Sequence, residues 1–176
     1  TLAAQGNASY TEKLKAIVST HKQLVEGILG SSAKVMEEID ALHEELKNIL
    51  KGVYLIKDLT AKTEDVILSY GERIVSLFVS KFLDAKNLDA RNLIKTNDSL
   101  GNANVDFELT YKLIKEQFSS SNDKRVVVAG FVASDAESAD VTTLGRGGSD
   151  YTAALIAAAL GASKIEIWNT NDGFMT

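Results

Sequence analysis

The sequence predicts an α/β protein: a mainly parallel sheet preceded by a helical N-terminal portion. Three observations carry that prediction. Apolar residues recur at helical spacing through the first half of the chain. The second half alternates short β-branched runs with helical patterns, the mark of a parallel sheet with crossover helices. A glycine-rich loop, Gly145-Arg146-Gly147-Gly148-Ser149-Asp150, joins a strand-like run to a helix-like run, as loops at strand C-terminal ends do. At 176 residues the chain is sized for one domain with a real core. Residues 1–62 form its helical hairpin portion and residues 63–176 the portion that carries the candidate sites.

The elements follow in order. Leu14, Ile17, Val18, Leu24, Val25 and Ile28 trace one helix up to the break at Gly30-Ser31-Ser32. Val35, Ile39, Leu42, Leu46 and Ile49 trace a second, and the short link between them makes an αα-hairpin. A third helix spans Thr63 to Asp84, with Thr63 as its cap and Val66, Ile67, Ile74, Val75, Phe78 and Phe82 as its buried face. Ser69, Glu72 and Ser76 share another face beside Gly71. That stripe either lines a pocket or faces solvent, and residue type alone favours solvent.

Arg91 to Lys95 reads as a weak strand and Val105 to Phe118 as an amphipathic helix, with Phe107, Leu109, Leu113 and Ile114 toward the core. Arg125 to Val132 reads as one buried strand. Ser134 to Asp140 is a polar loop or hairpin, and Lys164 to Trp168 a final strand with Trp168 in the core. His21 and His43 read as isolated surface or boundary residues.

Composition narrows the function classes. A net charge of −5 argues against nucleic acid as the main partner, because phosphate neutralisation needs a basic face. No apolar run approaches the roughly 20 residues of a membrane-spanning helix. With no cysteine there is no disulfide and no thiolate chemistry, which suits a cytoplasmic setting. No metal-ligand spacing surrounds either histidine, so no metal site is assigned to side chains of this chain. The lack of an initiator methionine, and an end right after a strand and turn signal, lead us to expect an incomplete piece of a longer protein.

The glycine loop is the richest local signal. Unpaired N–H groups at a helix start favour anions, and glycines let a ligand approach the backbone. Arg146 adds a fork that matches a carboxylate or phosphate. A structural reading stands beside this one: a glycine turn, Ser149 as N-cap and a buried alanine-rich helix. The loop is no Walker motif, since it lacks Gly-Lys-Ser/Thr, and Asp150 stands where a dinucleotide fingerprint needs its third glycine.

The stretch Thr142 to Leu160 resembles the signature of the aspartokinases, in the amino-acid kinase superfamily. Ser69-Tyr70-Gly71-Glu72-Arg73-Ile74-Val75-Ser76 resembles their Ser-x-Gly-Glu-x-x-Ser helix. Thr96-Asn97-Asp98, Val128-Ala129-Gly130-Phe131 and Ile165-Glu166-Ile167-Trp168 through Asp172-Gly173 resemble further segments in the same order. The resemblance implies a three-layer αβα sandwich, here incomplete, and ATP- and Mg²⁺-dependent phosphorylation of the β-carboxylate of L-aspartate. It also implies homo-oligomers, with no role for nucleic acid or membrane.

By position, Glu72 resembles the acid that holds the substrate's amino group and Arg146 the arginine that grips its α-carboxylate. Gly147, Gly148 and Ser149 resemble the surrounding loop, Thr143 and Phe131 the pocket wall, and Asp150 the catalytic-site aspartate. Asn169, Thr170, Asp172 and Met175 fall where the family meets the nucleotide. Two departures touch that side: Trp168-Asn169-Thr170 replaces the usual Trp-Thr-Asp, and Met175 stands where tyrosine is common. The family's Lys-Phe-Gly-Gly-Thr-Ser segment does not occur in these residues, and the 176-residue piece alone is expected to be inactive. Two alternatives remain at this point: an amino-acid kinase for a different carboxylate or carbamate, and a non-catalytic helical interaction module.

Overall fold

The computed structural model describes residues 1–30, 33–97, 99–120 and 123–168, with Ala33 described by its backbone alone. Three helices come first: α1 (Tyr10–Leu29), α2 (Ala33–Ile56) and α3 (Ala61–Phe82). Their apolar stripes meet in one cluster of Leu14 and Val25 from α1, Val35, Ile39 and Leu46 from α2, and Tyr70 and Ile74 from α3. The expected hairpin is therefore two sides of a three-helix layer. Burying each such aliphatic side chain is worth about 1.5–3 kcal/mol, well above what helix propensity supplies.

Thr60, rather than Thr63, caps α3, and its hydroxyl accepts from the Thr63 N–H. Val75 and Phe82 do not join the buried face; they are 49% and 57% exposed. Ser69 and Ser76 are buried instead, and their hydroxyls donate to the carbonyls of Val66 and Arg73. A serine satisfied by its own helix can be buried at little cost, which reverses the solvent reading of the stripe.

The sheet strands are β1 (Lys86–Leu88), β2 (Lys95–Thr96), β3 (Val126–Val128), β4 (Val132–Asp135) and β5 (Val141–Thr143). Pairs β1–β3 and β2–β4 are parallel, and β4–β5 is an antiparallel hairpin. Of the expected strand Arg91–Lys95 only Lys95 enters a strand; Arg91 and Asn92 belong to a 3₁₀ turn, Ala90–Asn92, capped by the Asp89 carboxylate. The expected strand from Arg125 to Val132 is broken at Ala129-Gly130-Phe131, where Phe131 takes φ +69°.

Helix α4 (Phe107–Ser119) starts at its Asp106 cap, whose carboxylate accepts from the Leu109 N–H. Phe107 is 51% exposed rather than in the core. Helix α5 (Gly148–Leu160) ends on Gly161 in the left-handed region, where glycine carries no Cβ penalty. Helices α4 and α5 pack on one face of the strands around Leu93, Ile94, Ile114, Ala133 and Leu155. Helix α3 packs against β1, β3 and β5. This is the three-layer αβα arrangement, with two parallel pairings and one antiparallel pairing.

The expected last strand does not form: Lys164–Trp168 pairs with no described strand, and Trp168 is 87% exposed rather than in the core. The two histidines are not isolated. His43 is buried and stacks on His21, with His21 Nδ1 and His43 Nε2 2.9 Å apart across α1 and α2. Burial, and then the neighbouring His43, lower the His21 pKa. No helix among the described residues is long and apolar enough to cross a membrane.

Candidate functional site

Two chain features build the site, the break between β3 and β4 and the turn from β5 into α5. At the break, Gly130 lies directly on α5: a Cβ there would fall 2.8 Å from Ser149 Cα. Phe131 is held in its left-handed conformation from both sides. Its N–H donates to Thr152 Oγ1 at 3.1 Å, and its carbonyl accepts from the Leu144 N–H at 2.9 Å. A non-glycine residue at positive φ costs about 1–3 kcal/mol and persists only where its surroundings impose it. The two hydrogen bonds supply that constraint, and the result turns Phe131 onto the glycine loop.

After β5, Gly145 and Gly147 take φ +70° and +79°, and Gly147 is the N-cap of α5. The helix thus begins at Gly148, inside the glycine run, and Ser149 belongs to its first turn rather than capping it. Gly148 N–H donates to Gly145 O, and Tyr151 N–H to Gly147 O. The N–H groups of Ser149 and Asp150 make no hydrogen bond among the described residues. Together with the helix dipole they form a seat for an anion.

These pieces enclose an open cleft of about 290 Å³, lined by Glu72, Phe131, Gly145, Gly147, Gly148, Ser149 and Asp150. Glu72 arrives from α3, across the cleft from the loop. It has no ion pair or hydrogen bond among the described residues, and burial raises its pKa above the ordinary glutamate value. A half-desolvated carboxylate without a counter-ion is an acceptor waiting for a cation. Arg146 is exposed and likewise has no partner among the described residues. Its side chain is not on the cleft wall, although its neighbours on both sides are. The cleft thus pairs an anion on one wall with a helix N-terminus and a free guanidinium beside the other. That arrangement suits a small zwitterion with a second carboxylate.

Thr143 is the sequence-predicted wall residue that the structure does not bring onto the wall. It is buried at the end of β5, with its hydroxyl donating to Asp65 Oδ1 at 2.8 Å. Asn169, Thr170, Asp172 and Met175 lie outside the described residues. Asp65 is the participant that the sequence reading missed. It is 1% exposed and extends the Ser69–Glu72–Ser76 stripe one turn toward the start of α3, and that register was the available signal.

The chain matches the model of the Amino acid kinase family over residues 2–176. It is 32% identical to "Aspartokinase 1, chloroplastic" of Arabidopsis thaliana, over 97% of this chain and 31% of that protein. It is 33% identical to "Lysine-sensitive aspartokinase 3" of Escherichia coli (strain K12), over 94% of this chain and 37% of that protein. Its fold superposes with a TM-score of 0.83 on the crystal structure of E. coli aspartokinase III in complex with lysine and aspartate, at 33% identity, covering 90% of this chain and 36% of that one. The TM-score is 0.78, at 32% identity and the same coverage, for the same enzyme in complex with aspartate and ADP. The chain spans about a third of the length of the curated relatives it matches. The family model spans nearly all of the chain and the fold superposes on a solved aspartokinase, and the chain belongs to the amino acid kinase family.

Proposed function

We propose that the protein carrying this chain phosphorylates the β-carboxylate of L-aspartate with ATP, and that this cleft is its amino-acid site. The observation that carries the proposal is the convergence of Glu72 and the Gly145–Asp150 loop on one open cleft of about 290 Å³, roomy enough for an amino acid. Glu72 takes the substrate ammonium, Arg146 and the N–H groups of α5 take the α-carboxylate, and Phe131 closes the wall. The similar aspartokinase III structures carry aspartate in one case and aspartate with ADP in another, which supports the reading. Homo-oligomeric assembly and a cytoplasmic setting belong to the same proposal and rest on the resemblance to the family.

The chemistry needs little from a base. A side-chain carboxylic acid has a pKa of about 3.9, so the nucleophile is already ionised at neutral pH. One β-carboxylate oxygen forms a bond to the γ-phosphorus, the bond from that phosphorus to the bridging oxygen breaks, and ADP leaves with the electron pair. The protein's part is to bring two anions together and offset the charge that spreads over the phosphoryl oxygens. Among the described residues no group of three carboxylates or histidines could cage a metal. Mg²⁺ bound largely through nucleotide phosphates and one protein carboxylate fits that donor set, with Asp150 as the available carboxylate. Bound Mg²⁺ would neutralise phosphate charge. Asp150 itself, in the first turn of α5, orients its partner groups and takes no proton.

The test is ATP-dependent formation of an acyl phosphate, trapped as a hydroxamate, with aspartate, glutamate and other carboxylates as acceptors. Aspartate is expected to be preferred; preference for another acceptor would refute the reading. Asp150→Asn in that protein is expected to lower kcat about 100-fold or more, in the range seen when one electrostatic group is removed from a transition state. An unchanged kcat would remove Asp150 from the chemistry.

Glu72→Gln tests the ammonium acceptor, and its two effects have opposite signs. The raised pKa of Glu72 means that the folded state holds this proton more tightly than the unfolded chain. Its contribution to stability is therefore lost as pH rises from the ordinary value of 4.5 through the raised one. At pH 7 the ligand-free Gln variant is expected to melt slightly higher than the parent. Its affinity for aspartate is expected to fall about 10- to 150-fold, for one lost charge-assisted hydrogen bond of about 1.5–3 kcal/mol. Titration calorimetry and a thermal melt on the same samples check both.

A further inference from the structure

We propose that Thr152, on α5 and off the cleft wall, is a positioning residue for the amino-acid site: its hydroxyl sets the hand of the turn at Phe131 and so keeps Phe131 facing the cleft. The proposal rests on the reading of the cleft as that site. Thr152 is 2% exposed, and its hydroxyl both gives and takes a hydrogen bond. It donates to Gly148 O at 2.8 Å and accepts from the Phe131 N–H at 3.1 Å. One buried atom thus joins the first residue of α5 to a residue of the cleft wall. The two are in contact as well: a Cβ on Gly148 would fall 3.0 Å from Phe131 Cδ2 and 3.1 Å from Phe131 Cα, so the ring lies against the helix start.

The hand of the turn depends on this bond. Val132 N–H donates to Gly130 O at 2.8 Å, which closes a three-residue γ-turn with Phe131 at its centre. A γ-turn exists in two hands: a common one with a central φ of about −75°, and a rare, strained one with φ of about +75°. Phe131, at φ +69°, takes the rare one. The Val132 bond closes either hand and so cannot choose between them. Packing of Gly130 on Ser149 fixes where the turn sits, not how its next peptide is oriented. Leu144 N–H holds the Phe131 carbonyl, and Thr152 Oγ1 holds the Phe131 N–H. Since φ is the rotation about the bond between those two sides, clamping both fixes its sign. Releasing the N–H lets the Gly130–Phe131 peptide turn over, and Gly130 absorbs the counter-rotation with no Cβ penalty. Phe131 then relaxes to the negative φ that side-chain-bearing residues prefer, and its Cα–Cβ bond no longer aims at the loop.

The experiment compares Thr152→Val and Thr152→Ser with the parent in the protein that carries this chain. Valine fills the same space, so water cannot replace the lost hydroxyl; serine keeps the hydroxyl and loses a methyl. The readouts are KM for aspartate, KM for ATP, kcat, melting temperature and hydrogen exchange at the Phe131 amide. Thr152→Val is expected to raise the aspartate KM about 10-fold or more, with kcat within about 3-fold and the ATP KM within about 2-fold. Exchange at Phe131 is expected to speed up about 10-fold or more in the same variant. Thr152→Ser is expected to hold the aspartate KM and Phe131 exchange within about 3-fold of the parent. A Thr152→Val protein that melts lower but keeps the aspartate KM would overturn the proposal, and so would a serine variant no better than valine. If Thr152→Val does not fold, Thr152→Ala takes its place with the same expectations. Exchange of Phe131 in the parent at the rate of an unbonded amide overturns the proposal with no variant at all. A parent that does not use aspartate defeats the proposed function; Phe131 exchange unchanged in Thr152→Val then overturns the dependence of the turn on Thr152 too, and faster exchange restored by serine upholds it.

Discussion

Replacing Arg146 by alanine is expected to raise the aspartate KM roughly 30- to 150-fold while kcat changes far less. The guanidinium is exposed and has no partner among the described residues, so truncation leaves no buried charge behind and cuts no structural ion pair. The loss should appear in binding rather than in stability. Two parallel N–H···O bonds to a carboxylate contribute about 2–3 kcal/mol, which converts to that range. Lysine at the same position should recover only part, because a point charge cannot reproduce the fork. Steady-state kinetics with varied aspartate, plus a thermal melt within about 1 °C of the parent, would bear this out. An unchanged KM would move the carboxylate grip elsewhere.

Replacing Gly130 by alanine is the second large effect, and it acts through packing. The added methyl would sit 2.8 Å from both Cα and Cβ of Ser149, and the Cα, being backbone, cannot swing aside. Either β3 or the first turn of α5 must move. Overpacking of this kind costs about 1–3 kcal/mol in stability. The functional cost is larger, because the moved atoms are the anion seat itself: a displacement of about 1 Å at a reacting centre can cost about 100-fold in rate. Gly130→Ala is therefore expected to lower kcat/KM for aspartate about 100-fold and to lower the melting temperature by several degrees. Gly71 offers the contrast: a Cβ there meets nothing within 4 Å. Gly71→Ala should leave the fold intact and gain up to about 1 kcal/mol from helix propensity.

Much of the architecture is legible in local pattern. Helices α1 to α5 follow from the pattern of apolar residues, because that repeat is a property of short segments, whereas the caps do not: Thr60 and Gly147 start α3 and α5 where Thr63 and Ser149 are expected. The strand breaks are not legible there. Arg125 to Val132 is as apolar as any buried strand, yet it kinks at Gly130 because α5 lies within van der Waals reach of it. Lys164 to Trp168 has strand composition but no described neighbour to pair with, and a strand needs a partner's hydrogen bonds as well as its own side chains. The burial of Val75, Phe82 and Phe107 was misjudged for a related reason: amphipathic spacing marks a face, and only the packing of the layers decides how far that face is covered.

The candidate site divides in the same way. Glycines at Gly145 and Gly147, Arg146 beside them and Asp150 at the helix start can be read directly, since backbone freedom and charge type belong to the residues themselves. That Glu72 faces this loop, and does so without a counter-ion, was decided by the docking of α3 on β5, a contact between segments about seventy residues apart. Thr143 shows the opposite outcome: it stood beside the loop in sequence and was turned away from the cleft by Asp65. By itself the sequence determined the chemistry available to this protein, an anion seat and a lone acid on a helix. The tertiary structure alone decided that they share one cleft, because the distance between them is set by buried packing and a desolvated carboxylate rather than by any local rule.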